Sequence, residues 1–194
     1  MIKVLKGGNV YCPESIGIKD ILVVNEKVVN IDNNIPIVKA YGDVEVIDCS
    51  GKIVVPGFID QHVHIIGGGG EGGYATRTPE ITLSSITKSG VTTVVGCLGT
   101  DGTTRHMASL LAKARGLEEE GISTYIYTGS YELPVRTLTN SVRDDIILID
   151  KIIGCGEIAI SDHRSSQPSK EDIKKLAAEA RLGGILSGKA GELH

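Results

Sequence analysis

The chain has 194 residues, 41% of them hydrophobic, and a formal net charge of −4. That length and apolar content supply a sizeable core for one large or two small domains. The acidic balance gives no electrostatic basis for binding nucleic acid or an anionic membrane surface, and no apolar run is long enough to span a bilayer, so small polar substrates suit it better.

With one Phe and no Trp, the core must be built from Ile, Val, Leu and Ala. Cys12, Cys49, Cys97 and Cys155 are scattered without a C-x-x-C pair, and Met1-Ile2-Lys3-Val4-Leu5-Lys6 lacks a secretory pattern. Reduced thiols in a cytoplasmic protein are the expectation.

In chain order, the first 55 residues read as short β-type runs. Ile21-Leu22-Val23-Val24, the turn Asn25-Glu26 and Lys27-Val28-Val29-Asn30-Ile31 form a hairpin signal, followed by Val44-Glu45-Val46-Ile47 and Ile53-Val54-Val55. A small all-β module over 1–55 is expected. From 56 to 194 strands alternate with helices. Thr78 and Pro79 open a helix that Gly90 closes, and Val91–Val95 is a buried strand. Met107, Leu110, Leu111, Ala114 and Leu117 share a helical face before the strand Ile122–Tyr127. A third helix is expected around Val142–Ile153, then the strand Glu157–Ile160. Ser169 with Asp172 caps a fourth helix whose inner face is Ile173, Leu176, Ala177 and Ala180. Strand-helix units in series mean a parallel sheet, either doubly wound or part of a (β/α) barrel.

The chemistry concentrates in Gly57-Phe58-Ile59-Asp60-Gln61-His62-Val63-His64. Strand residues two apart point to one side, so His62 and His64 can reach one metal ion while Val63 turns into a packing layer. Neutral imidazole suits zinc-like ions. Two histidines alone are an unfinished shell, and an H-x-H pair by itself leaves metal binding and structural histidines both open. Val54-Val55-Pro56-Gly57 leads into the strand, and Gly67-Gly68-Gly69-Gly70-Glu71-Gly72-Gly73 forms a flexible loop at its ligand end.

These segments, with the β module and the strand-helix series, resemble the metal-dependent amidohydrolase superfamily, whose catalytic domain is a (β/α)8 TIM-type barrel. Gly67–Glu71, Arg77-Thr78-Pro79-Glu80, Gly99-Thr100-Asp101, Thr128-Gly129-Ser130-Tyr131 and Ile160-Ser161-Asp162-His163-Arg164-Ser165 together resemble its isoaspartyl dipeptidase (β-aspartyl peptidase) branch, over essentially the whole chain. The resemblance implies hydrolysis of a β-linked Asp-X dipeptide by a metal-bound hydroxide. It makes His62 and His64 ligands of the more buried of two zinc ions, or of other divalent metals. Glu71 would receive the substrate α-ammonium, Tyr131 would polarise the scissile carbonyl, Arg164 would pair with a substrate carboxylate, and Gly69 and Thr100 would add hydrogen bonds. A homo-oligomer is implied as well.

One position departs from the family pattern. Where the family places a carboxylated lysine, this sequence has Glu157. Glutamate keeps the charge and the oxygen donors on a shorter arm, so Glu157 is expected as the metal bridge, with a shifted pair or a single ion as the alternative. Cys155 is a weaker candidate, better read as a buried structural thiol, and His194 is not read as a ligand. Four strand-helix units and the start of a fifth strand, Glu192–His194, fill 57–194, whereas a full barrel has eight strands in roughly 250 residues. The chain therefore reads as the N-terminal half of a barrel, expected to be inactive and associated or insoluble when alone. The rest would supply further histidines and a general-base aspartate. The rivals are a dihydroorotase-like or hydantoinase-like cyclic amide hydrolase and a non-catalytic fragment.

Overall fold

The computed structural model describes residues 1–38 and 42–194, which divide into two compact units, Met1–Pro56 and Gly57–His194. In the first unit β1 (Ile2–Tyr11), β2 (Ser15–Val24), β3 (Lys27–Asp32) and β4 (Val44–Asp48) form a sheet in the order β3-β2-β1-β4, and β5 (Ile53–Val54) also pairs with β1. The expected hairpin is β2–β3, turning at Asn25 with φ 55. β1 escapes the pattern reading because lysines and glycines interrupt its alternation. Gly7, at φ 68, sits where its register with β2 shifts.

That irregularity is tied down by Asp20, which is 3% exposed. Its carboxylate accepts from Gly7 N and Ile35 N, both at 2.9 Å, and from the Lys6 ammonium. The Lys6 hydrogen bond, helped by the two amides, outweighs burial and holds the carboxyl below its usual range.

The second unit is a parallel sheet in the order β10-β9-β8-β7-β6: β6 (Phe58–Val63), β7 (Val91–Gly96), β8 (Ser123–Thr128), β9 (Ile152–Cys155) and β10 (Glu192–Leu193). The helices α1 (Leu83–Thr87), α2 (Met107–Glu119), α3 (Val142–Leu148) and α4 (Lys170–Ser187) connect them in turn. This is the first part of a (β/α) barrel. The core joins Ile65, Val94, Ile126 and Ile152 to Leu110, Ala114, Leu117, Ile146, Leu176 and Ala180 of the helices. The Ser169–Asp172 capping box opens α4 as expected. Lys189 caps the other end of α3, its ammonium donating to the carbonyls of Ile146 and Ile149 at 2.6 and 2.5 Å.

Three boundaries differ from the sequence expectation. The first helix begins only after Thr82, because the Thr78 hydroxyl is engaged with the backbone of Gly68 instead of capping a helix. α3 ends at Leu148, and the strand follows at once as β9. Ile152-Ile153-Gly154-Cys155 is an apolar run that continues the helical pattern of α3, and only pairing with β8 makes it a strand. Glu157 therefore lies just past β9, not on a strand over 157–160.

The folded pKa of Asp20 lies below that of the unfolded chain, so its contribution to stability is complete above about pH 4 and is lost as pH falls through the depressed folded value. Asp20→Asn should cost about 1–3 kcal/mol at pH 7 and distinctly less at pH 3. Urea unfolding at the two pH values checks this, and an equal cost at both would contradict it.

Candidate functional site

All five strands of the second unit run in one direction, so their C-terminal ends and the loops that follow them gather at one edge. Each candidate residue comes from one of these ends: His62, His64, Gly69 and Glu71 from β6 and its loop, Thr100 from β7, Tyr131 from β8, Glu157 and Arg164 from β9. The register between β6 and β7 slips between Asp60 and Val63, an irregularity of the kind that re-aims side chains at sheet ends. Both imidazoles emerge on one side, with ring centroids 5.3 Å apart.

His62 Nε2 and His64 Nε2 stand 3.0 and 3.4 Å from Glu157 Oε2. Yet among the described residues that buried oxygen makes no hydrogen bond, and neither does His64 Nδ1. Two imidazole nitrogens and a carboxylate oxygen thus converge on one another without being satisfied by one another. One ligand atom from each of the three lies within 4.8 Å of the others. Nitrogen and oxygen donors in this number fit a divalent ion with open positions for water. Burial, the largest influence on His64, lowers its pKa against the opposing pull of Glu157, which favours the neutral ring a metal needs. Gly99 is required beside it: at φ 85, an added Cβ would lie 2.7 Å from His64 Nδ1.

A second cluster adjoins the first. Glu71 Oε1 accepts from Thr100 Oγ1 at 3.1 Å and Arg164 Nη1 at 3.0 Å. Arg164 also donates to the Tyr131 hydroxyl at 3.2 Å and sits over that ring, 5.1 Å from its centroid. Asp162 holds the guanidinium from behind through Nε and Nη2, at 2.8 and 2.9 Å. The Asp162 hydrogen bond raises the pKa of Arg164 further, and the same contact depresses that of Asp162. The Glu71 carboxyl is held below its usual value by its own backbone amide, then by Thr100 and Arg164. Gly69, at φ 67, forms an isolated bridge with Arg77.

Beneath Tyr131 the loop after β8 is fixed by Asp145 of α3, which is fully buried. It accepts from Thr128 Oγ1 at 2.5 Å, Leu138 N at 3.0 Å and Thr139 N at 2.8 Å.

Other residues also reach the site, among them His194, which the sequence reading did not take as a ligand. His194 Nε2 lies 2.8 Å from His62 Nδ1, and its ring stacks on Tyr127. Together with Cys97 it forms another group around His62. Burial pushes the Cys97 thiol up to about 12. Cys155 is buried, its thiol likewise raised to about 12 by desolvation, and it belongs to neither group of possible ligands among the described residues. Arg105, 6% exposed, borders the small cavity of about 120 Å³ that contains His64, Glu71, Glu157 and Arg164.

A half-barrel whose strand ends carry an unsatisfied imidazole–carboxylate cluster defines the class of metal-dependent hydrolases built on a TIM-type barrel. The sequence matches the model of the amidohydrolase family over residues 45–182, and the chain belongs to that family. The β-aspartyl dipeptidase of the keratin-degrading thermophile Fervidobacterium islandicum AW-1, solved in complex with β-Asp-Leu, is 54% identical and superposes with a TM-score of 0.95, over 100% of this chain and 50% of that one. A second structure of the Fervidobacterium enzyme gives 53% identity and a TM-score of 0.93 over 100% and 52% of the two chains. A dihydroorotase of Listeria innocua is 29% identical over 164 residues, 82% of this chain and 34% of its own. The chain spans about half the length of the solved relatives.

If His62, His64 and Glu157 share one ion, Glu157→Ala in the complete protein should weaken its binding at least about tenfold, whereas Cys155→Ala should not. Metal content after dialysis against a graded chelator series measures this, and unchanged content in Glu157→Ala would contradict the assignment.

Proposed function

We propose that this chain supplies the metal-binding and ammonium-binding half of a metal-dependent β-aspartyl (isoaspartyl) dipeptidase. The observation that carries the reading is the Glu71–Arg164 ion pair, at 3.0 Å, beside the His62–His64–Glu157 cluster. A β-aspartyl dipeptide keeps a free α-ammonium and a free α-carboxylate on one carbon, two bonds from the scissile carbonyl. The pair is the protein's own version of that zwitterion.

On binding, the substrate ammonium takes the place of Arg164 on Glu71, and a substrate carboxylate takes the place of Glu71 on Arg164. Asp162 keeps the guanidinium fork aimed while this exchange occurs. Thr100 and the backbone of Gly69 add hydrogen bonds at the same end. The Tyr131 hydroxyl accepts from Arg164, which leaves its own proton free for the oxygen of the scissile carbonyl as negative charge develops there. His62, His64 and Glu157 would hold the divalent ion, which supplies Lewis-acid polarisation and a more acidic bound water when present. Overall, water adds across the amide: its oxygen joins the aspartyl carbon, the C–N bond breaks, and the proton leaves on the released amine.

The finer parts of the proposal are zinc as the ion, with Glu157 bridging a pair, a cytoplasmic location and a homo-oligomeric assembly. The nitrogen and oxygen donors suit zinc, and the four free cysteines suit a reducing compartment. A cyclic amide hydrolase would share the histidine pair but would leave Glu71 and Arg164 without a zwitterion to recognise.

In the complete protein, Glu71→Gln and Arg164→Met should each lower kcat/KM for β-Asp-Leu on the order of 10²-fold, the scale for leaving one charge of a bound ligand without its counterpart, with metal content unchanged. Steady-state kinetics on β-Asp-Leu and dihydroorotate decide between the readings. Comparable turnover of both by the unsubstituted protein would favour the cyclic amide alternative.

A further inference from the structure

Arg105 is a buried cation that the reaction described above does not use. It is 6% exposed, and burial of a charge is costly unless the charge is compensated. Among the described residues the guanidinium is not held by an ion pair of hydrogen-bonding length. Its nearest carboxylate, Asp101, is 3.8 Å away and already accepts from Arg77 and Thr104. Instead, Arg105 Nη2 donates to the Gly68 carbonyl at 2.6 Å and Nη1 to the Gly69 carbonyl at 3.2 Å.

These carbonyls stand three and two residues before Glu71. The segment has no side chains of its own to anchor it between Gly67 and Gly70, and Gly69 runs so close to its neighbour that an added Cβ would lie 2.5 Å from Thr76 O. Thr78 fixes the outer side of the loop through Gly68 N at 2.7 Å, and Arg105 fixes its carbonyl side.

We infer that Arg105 is a positioning residue for the ammonium pocket: its two-point hold on Gly68 and Gly69 sets where Glu71 stands. This rests on the dipeptidase reading of Glu71. The planar fork is what the task requires, because two carbonyls are engaged at once by two N–H groups of fixed spacing. A lysine ammonium in the same place keeps the charge and can reach one carbonyl without pre-organisation for the second.

The test compares Arg105→Lys and Arg105→Gln in the complete protein by two readouts. The first sets KM for β-Asp-Leu against the inhibition constant of N-succinyl-leucine, which keeps the amide and lacks only the ammonium. In Arg105→Gln, KM should rise about tenfold or more while the inhibition constant shifts by less than about threefold, because only the ammonium contact is displaced. Arg105→Lys should recover part of the loss. The second is hydrogen exchange, in which amides of residues 67–76 should lose protection while those of β7 and β8 keep theirs. Equal weakening of both ligands, or unchanged exchange over 67–76, would overturn the inference. If the unsubstituted protein hydrolyses no β-aspartyl dipeptide, the dipeptidase reading has failed, and exchange alone decides the hold on the loop.

Discussion

Parallel strands cannot be joined by tight turns, so each must be followed by a crossover before the next begins, and every C-terminal end comes out at the same edge. In the second unit this places the ends of β6, β7, β8, β9 and β10 side by side, although the residues they deliver are far apart in sequence. His62 meets Glu157 at 3.0 Å and His194 at 2.8 Å only for that reason. At the end of β6, His62 and His64 both face the same Glu157 oxygen. What the loops add is constrained by this convergence, since they decorate an edge whose centre already holds the two histidine rings and the buried Glu157 oxygen.

Around that centre, charge alternates. Asp162, Arg164 and Glu71 form one chain of opposite signs, and Arg77, Asp101 and Arg105 another, with Arg77 Nη1 to Asp101 Oδ2 at 2.8 Å. The first chain is partly solvent-exposed, as the proposed exchange of partners with a zwitterionic ligand requires. The second is backed by hydrogen bonds: Asp101, despite its burial, is held far below the usual carboxylate range by Thr104, Arg77 and Thr103.

Much of this was legible locally. The β2–β3 hairpin, the apolar face of α2 and the Ser169–Asp172 box depend on residues a few positions apart, and so does the histidine pair. The misread features depend on partners distant in sequence. Thr78-Pro79 carries a helix-opening signal, but Gly68 takes the Thr78 hydroxyl. Ile152–Cys155 continues an apolar run from α3 and becomes a strand only through β8. β1 is broken by Lys6, Gly7 and Gly8 and is a strand because three others pair with it. Arg105 carries no sequence signal, since an arginine ahead of a helix is ordinarily a surface residue and only the fold buries it beneath the glycine loop.

The proposed site rests most on the convergence of His62, His64 and Glu157 on one ion. Anomalous scattering recorded at the zinc edge from crystals of the complete protein tests it directly. A peak is expected about 2.0–2.2 Å from His62 Nε2, His64 Nε2 and a Glu157 carboxylate oxygen. A metal-loaded crystal with its peak elsewhere, or with Glu157 turned away from it, would contradict the account.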